Sequence, residues 1–283
     1  MTSQSSGRRR VAFQGELGSY SDEAASKFFG EEFEPLPQRT LPAVFNAVES
    51  QRADAGVIPV ENSIEGSVGE AYDLLLSTGL KVIGEVYVRV VHCLIGLPNS
   101  DLSTVRKVYS HPQALGQCRS WIAMTGYEPI SFYDTAGAVR YVRESGDPAC
   151  AAIASERAAR IYGLKVLARG IEDYGRNYTR FLVVGRGPPQ AAQRMKTTVI
   201  FSVSHKPGAL YGALGPLAER GINLTKIESR PTRARPWQYH FFVDLEGSVE
   251  EERVKEALAE LANHTLFIKV LGSYPMAQLE DLD

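Results

Sequence analysis

Along the first 185 residues, short apolar runs alternate with segments of helical spacing. VAFQG (11–15) is an apolar run that ends in a glycine-rich turn and reads as a strand. Ser21–Phe29 has helical character, with Asp22 and Glu23 in the first turn, where a helix N-terminus favours negative charge. AGVIPVENS (55–63) reads as a strand leading into a loop, Lys81–Val91 is rich in β-branched residues, and CLIGLP (93–98) continues in that style. KVYSHPQALGQCRSWIA (107–123) reads as strand, turn and helix, ACAAIASERAARIYG (149–163) as strand to helix, and TRFLVVG (179–185) as a closing strand. Repeated βα units predict a mainly parallel sheet, and such sheets collect ligands at the C-terminal ends of their strands. The polar clusters fall at those ends, which points to a ligand cleft.

The rhythm breaks near residue 190. GRGPPQAAQR (185–194) combines Gly, paired Pro and small polar residues, a linker composition. Beyond it, Thr197–Val203 alternates as a strand, and Gly208–Arg220 carries Leu210, Leu214 and Leu217 at helical spacing, with Gly221 as its C-terminal stop. Asn223–Ser229 and Tyr239–Leu245 read as strands joined across PTRARPW, Val249–Asn263 as a second helix and Leu266–Leu271 as a last strand. This βαββαβ order is the ferredoxin-like arrangement. The expected organisation is a tail (1–9), an α/β domain (10–187), a linker (188–195), a small α+β domain (196–275) and an acidic tail (276–283).

Composition narrows the function classes. The chain has 283 residues, of which 44% are hydrophobic and 23% charged, the profile of a globular protein of two domains. With 31 basic and 33 acidic side chains the net charge is −2, which gives no reason to expect a nucleic-acid or membrane partner. Cys93, Cys118 and Cys150 stand far apart without CxxC spacing, so neither a disulfide framework nor a metal site is expected, and the usage suits the cytoplasm. The basic start MTSQSSGRRR is not followed by an apolar signal core, and no run reaches the ~18–20 apolar residues of a membrane span.

Four segments carry candidate chemistry. In GELGSYS (15–21), two glycines permit close backbone approach beside the hydroxyls of Ser19, Tyr20 and Ser21 at a helix start; the segment fits either a carboxylate site or an ordinary helix cap. In IPVENSIEGSV (58–68), Glu61, Asn62 and Ser63 follow a strand, suited to reading substrate oxygens, to capping the next helix, or to both. YSHPQALGQC (109–118) puts Ser110 and His111 at a strand end, with Gln113 and Gln117 one helical turn apart. His111, beside a proline, reads as a turn residue and stays outside the leading group. NYTRFLVVG (177–185) opens an apolar strand with Thr179, Arg180 and Phe181.

Together, GELGSYS, PVENSIEG, SHPQALGQC and NYTRF resemble the prephenate dehydratase family in order and spacing. PGAL (207–210), INLTKIESRP (222–231) and WQYHFFVDLEG (237–247) resemble the ACT domain that this family carries. The resemblance runs from about Val11 to Pro275; Ser19 stands where the family often has threonine, and no chorismate mutase segment precedes the first motif as it does in fused enzymes. It implies a two-lobed catalytic domain similar to periplasmic binding proteins, with lobes at 10–85 plus 169–187 and at 86–168, followed by a ferredoxin-like ACT domain. It also implies a carbon–oxygen lyase that turns prephenate into phenylpyruvate, carbon dioxide and water in phenylalanine biosynthesis. Aromatisation drives the reaction, so no cofactor is expected.

By the same resemblance, Thr179 is the prime catalytic residue. A threonine hydroxyl is too weak an acid to serve alone, so its expected role is to polarise the leaving hydroxyl, with Glu61 as a proton source if burial raises its pKa. Asn62, Ser63, Ser110, Gln117, Arg180, Phe181, Ser19, Tyr20 and Ser21 are the substrate-binding set. In the ACT domain, Gly208, Ala209, Leu210, Asn223, Leu224, Glu228 and Ser229 match positions that hold L-phenylalanine between two subunits, which implies a homodimer or homotetramer under feedback control. The competing readings are an arogenate dehydratase and a non-catalytic amino-acid sensor.

Overall fold

A computed structural model of the protein describes residues 8–187, 189, 191–232 and 237–277. Most of the expected basic and acidic tails, two positions of the expected linker (188 and 190) and the middle of the PTRARPW connection lie outside the described residues. The first sheet is built from β1 (Arg10–Gln14), α1 (Tyr20–Phe29), β2 (Glu34–Gln38), α2 (Leu41–Glu49), β3 (Ala55–Asn62), the two-residue β4 (Gly66–Ser67), α3 (Gly69–Ser77) and β5 (Lys81–Arg89). The second follows with β6 (Cys93–Gly96), β7 (Lys107–Ser110), α4 (Pro112–Gln117), α5 (Arg119–Thr125), β8 (Glu128–Ser131), α6 (Thr135–Ser145), β9 (Cys150–Ala154), α7 (Glu156–Tyr162) and β10 (Lys165–Arg169). β11 (Tyr178–Gly185) then returns to the first sheet, whose order is β2-β1-β3-β11-β5 with β4 beside β3; the second sheet runs β10-β6-β9-β7-β8.

The second sheet shows why its strands read as almost unbroken apolar runs. Cys93, Ile95, Ala152 and Ala154 pack on one face with Val139 and Val142 of α6, while Leu94, Ala151 and Ile153 pack on the other with Ala114 and Ile122. Helices cover both faces, so period-two alternation places an apolar side chain on each. The expectation of mainly parallel pairing needs one amendment here. β7 is parallel to β8 and β9, but β6 is antiparallel to both β9 and β10. β6 enters by a direct crossing from β5, so no crossover helix dictates its direction.

The chain divides into two compact units: one holds the chain up to Ala71 together with Val86–Phe181, the other Tyr72–Glu85 and the described chain from Leu182 onward. In the second unit, β12 (Met195–Ser202), α8 (Ala209–Glu219), β13 (Leu224–Pro231), β14 (Tyr239–Glu246), α9 (Glu252–Asn263) and β15 (Phe267–Pro275) give the βαββαβ order, with antiparallel sheet order β13-β14-β12-β15. Val199, Phe201, Val243 and Leu245 meet Ala213 and Leu217 of α8 and Val254, Leu258 and Leu261 of α9 on one face. Tyr72–Glu85 lies against residues of the other face: Tyr72 packs edge-on to Phe242, and Lys269 donates to the carbonyls of Leu75, Leu76 and Thr78 at the end of α3. Gly221 is left-handed (φ 61°) just past α8, as its place in the sequence predicts. α9 starts at Glu252 and not at Val249, because residues 248–251 form a turn closed by the Glu251 N–H donating to Ser248 O (2.9 Å) and the Ser248 N–H donating to Glu251 Oε1 (2.8 Å).

Candidate active site

Within the first unit, a cavity of about 980 Å³ opens where β1, β2, β7 and β8 end, at the upper end of the ~300–1,000 Å³ usual for small-molecule sites. Its wall includes Gln14, Gly15 and Glu16 after β1, Gln38 and Arg39 after β2, His111 after β7, Tyr133 and Asp134 after β8, and Thr179 and Phe181 of β11. Strand alternation on β11 turns Thr179 and Phe181 to the cavity. Arg180, between them, is buried and does not line it.

The glycine-rich turn serves both of the readings open to it. Ser19 caps α1 by accepting from the Asp22 N–H, and Ser19, Tyr20 and Ser21 all line the cavity. Gly18 is fixed by space as well as by its φ of +87°: a Cβ there would lie 2.6 Å from Ala158 Cα. Its carbonyl accepts from Ser155 Oγ at 2.6 Å, which ties the turn to the start of α7. Glu16 accepts from Tyr133 Oη (2.9 Å) and pairs with Arg140 (3.1 Å), while Arg140 donates to Tyr133 Oη (2.8 Å). Asp134 caps α6 by accepting from the Gly137 N–H at 2.7 Å. Burial raises the Asp134 pKa above the ordinary aspartate value despite that bond.

Behind Thr179 lies a run of uncharged hydrogen bonds. Asn62 Oδ1 accepts from the N–H groups of Ile64 and Glu65, both at 3.0 Å, so its amide caps the following turn. Its Nδ2 donates to Thr179 Oγ1 (2.9 Å), Asn177 Oδ1 (2.7 Å) and Tyr178 O (3.2 Å). Asn177 Nδ2 donates to Gln117 Oε1 at 3.1 Å, and Gln117 Oε1 also meets His92 Nε2 at 2.9 Å. The half-buried Thr179, accepting from an amide, keeps its own proton free to donate elsewhere.

The remaining expected residues take other places. Ser110 is fully buried and donates to Ile153 O, joining β7 to β9. Ser63 is exposed; it donates to Arg176 O and accepts from the Tyr178 N–H. Glu61 is half-buried and pairs with Ser67 across β3 and β4; it is not among the cavity residues. His111, held outside the leading group, caps α4 and lines the cavity. Reasoning from the sequence passed over Glu16, Arg39, Tyr133, Asp134, Arg140, His92 and Asn177. Two carried a local signal: Asp134 stands at an N-cap position before a helical run, and Asn177 directly precedes the TRF segment.

In the second unit, left-handed Gly208 (φ 79°) caps α8 without a side-chain hydrogen bond, and Ala209 and Leu210 form its first turn. Asn223 O accepts from the Glu246 N–H, and Leu224 opens β13. Glu228 is half-buried, 3.9 Å from Lys226, and Ser229 is exposed. No group of His, Cys, Asp and Glu suited to a metal occurs among the described residues.

The family model for prephenate dehydratase matches residues 11–189, and that for the ACT domain matches 197–263. A bifunctional chorismate mutase/prephenate dehydratase of Aquifex aeolicus (strain VF5) is 45% identical over 274 residues, spanning 96% of this chain and 75% of its own length. The chloroplastic arogenate dehydratase/prephenate dehydratase 1 of Arabidopsis thaliana is 43% identical over 283 residues, spanning 94% and 72%. A solved chain described as a novel type of quorum-quenching acylase has a TM-score of 0.87 at 38% identity, covering 95% of this chain and 98% of its own. The prephenate dehydratase of Arthrobacter aurescens in complex with L-Phe has a TM-score of 0.85 at 32% identity, covering 94% and 90%. The chain therefore belongs to the prephenate dehydratase family, with a dehydratase domain followed by an ACT regulatory domain.

Proposed function

We propose that prephenate is decarboxylated and dehydrated in the cavity of the first unit, with Thr179 polarising the departing hydroxyl. The observation that carries this role is the 2.9 Å bond from Asn62 Nδ2 to Thr179 Oγ1 on the cavity wall. With its lone pair engaged, the threonine hydroxyl donates to the leaving oxygen, a contact that strengthens as negative charge develops there. The bond between the ring and its carboxylate breaks, its electron pair enters the ring, and the ring–hydroxyl bond breaks. Carbon dioxide leaves, and one proton turns the departing hydroxide into water. Asp134 supplies that proton in this reading, because it lines the cavity and burial favours its protonated form.

Arg39, Arg140 and the N-terminus of α1 are the groups assigned to the substrate carboxylates, and Phe181 is assigned to the ring. Phenylpyruvate formation from prephenate, followed in the ultraviolet, tests the whole assignment. Native protein that forms product readily and Thr179→Ala protein that forms it far more slowly is the expected pair of results. A second substrate has one observation in its favour: the carboxylate of Glu16 on the wall suits the ammonium group of arogenate. The ratio of kcat/KM for prephenate and arogenate decides between them, and a ratio above one is expected.

In the ACT domain we assign L-phenylalanine to the uncapped start of α8, at Gly208, Ala209 and Leu210, with Asn223, Leu224, Glu228 and Ser229 nearby in sequence at β13. Binding there shifts an equilibrium between more and less active states by its differential affinity for them. The protein acts as a homodimer or homotetramer in the cytoplasm, a reading supported by the ACT match and by three buried free thiols. A phenylalanine titration of rate and of oligomer mass tests both points.

A further inference from the structure

The chain crosses from the first sheet to the second at residues 90–92 and crosses back at residues 170–177. The two crossings are bonded to each other. The N–H groups of Gly170 and Ile171 donate to His92 O (3.0 and 3.2 Å), the His92 N–H donates to Glu172 Oε2 (2.9 Å), and the Val90 N–H donates to Asn177 O (2.7 Å). At their centre His92 is 2% exposed and does not line the cavity. Its ring joins residues from the two sheets. Nδ1 lies 3.0 Å from the hydroxyl of Tyr20 on α1, and Nε2 lies 2.9 Å from Oε1 of Gln117 on α4.

The direction of each bond from Asn62 to the Nε2 of His92 is forced. The N–H groups of Ile64 and Glu65 fix the Asn62 carbonyl oxygen, so its NH₂ must face Asn177 and Thr179. Asn177 therefore accepts from Asn62 and donates to Gln117 Oε1. An amide oxygen only accepts, so the His92 Nε2 that meets it must carry a hydrogen. Desolvation of the buried ring disfavours a second proton, which leaves Nδ1 to accept from Tyr20. The Tyr20 hydroxyl shares its one hydrogen between Nδ1 and the carbonyl of Val91, 2.9 Å away.

We propose that His92, held as the Nε2–H tautomer, is a positioning residue: its bond to Gln117 Oε1 holds in place the amide that anchors Asn177, and so buttresses the bond from Asn62 to Thr179. The other neutral tautomer would set the Nε2 lone pair against Gln117 Oε1, and the Gln117 amide would have to give up its bond from Asn177 or move away from the ring. A histidine that merely filled space could be replaced by an aromatic ring of similar shape. A histidine acting through its Nε2–H could be replaced in part only by a side chain that keeps a donor at that place, and glutamine does so.

The test uses the full chain. Nitrogen-15 spectra of the imidazoles should show His92 neutral, with hydrogen on Nε2, at neutral pH; a charged ring or an Nδ1–H tautomer overturns the proposal. For prephenate turnover, His92→Phe should lower kcat about tenfold or more, since the half-buried Gln117 Oε1 loses one of its two donors, with KM moving less than kcat. His92→Gln should recover much of that loss. Native-like kcat in His92→Phe, or no recovery in His92→Gln, also overturns it. If the substitutions impair folding, the spectrum of the native protein still decides. The inference rests on the role given to Thr179, and the two can fail separately: full turnover by Thr179→Ala removes that role, while the imidazole spectrum reports on the tautomer alone.

Discussion

Two buried polar clusters in this protein solve the same problem in opposite ways. In the second unit, Lys196 Nζ sits 2.7 and 3.0 Å from the two carboxylate oxygens of Glu85, with both side chains at most 2% exposed, and the Ala277 N–H adds a third contact at 3.1 Å. That cluster is charged and closed on itself. In the first unit, the run from His92 through Gln117, Asn177 and Asn62 to Thr179 carries no formal charge, and its last member faces a cavity. Charges taken out of water must be matched in place. Amide and hydroxyl dipoles need only the right direction, and they can leave one donor pointing at a ligand. The closed pair suits stability; the open chain suits chemistry.

Breaking each cluster should therefore have a different readout. Lys196→Met leaves a carboxylate buried without its cation and should cost about 3–5 kcal/mol of folding stability by denaturant titration, with little change in kcat where the protein remains folded. The double variant Lys196→Met/Glu85→Leu should restore most of that stability; a pair as costly to remove together as singly would undo the comparison. Thr179→Ala should do the reverse, lowering kcat about 100- to 1,000-fold, the range for losing one preorganised donor, while the unfolding midpoint stays near native. Asn62→Ala should lower kcat about 10- to 100-fold by leaving Thr179 unpolarised, with a modest loss of stability from the uncapped turn at Ile64 and Glu65.

The smallest effect concerns pH. Burial holds the His92 pKa below its ordinary value, so the unfolded chain takes up the proton first. Its contribution to stability is intact above the unfolded value of about 6.5 and is lost as pH falls from there toward the depressed folded value. The unfolding midpoint of native protein should fall more steeply below about pH 6.5 than that of His92→Gln. Parallel curves would remove His92 from the acid response.

The fold was legible wherever one local signal sufficed. Ser19 as a cap with Asp22 and Glu23 behind it, Gly221 past α8, and the βαββαβ order all follow from spacing and residue type. The alternation on β11 also separates Thr179 from Arg180, since adjacent strand residues face opposite sides. What stayed hidden depends on partners far along the chain. Asn62 meets Asn177 across 115 positions, and Lys196 meets Glu85 across 111, so no window of sequence displays either pair. Lys196 would read as the solvated start of a strand; its burial follows only from the segment Tyr72–Glu85 lying against the opposite face of its sheet. Tyr133, Asp134 and Arg140 reach the cavity because α6 follows β8 at a strand end, a placement fixed by topology more than by any motif.

The central claim is that Thr179 works through the bond it receives from Asn62. A double-mutant cycle on kcat for prephenate, using Asn62→Ala, Thr179→Ala and the double variant, measures that coupling directly. If the two residues act as one, the double variant turns over within about threefold of Thr179→Ala alone, because removing Asn62 takes nothing further once its partner is gone. Two losses that multiply in full would mean that Asn62 and Thr179 serve the reaction independently, and would contradict the account.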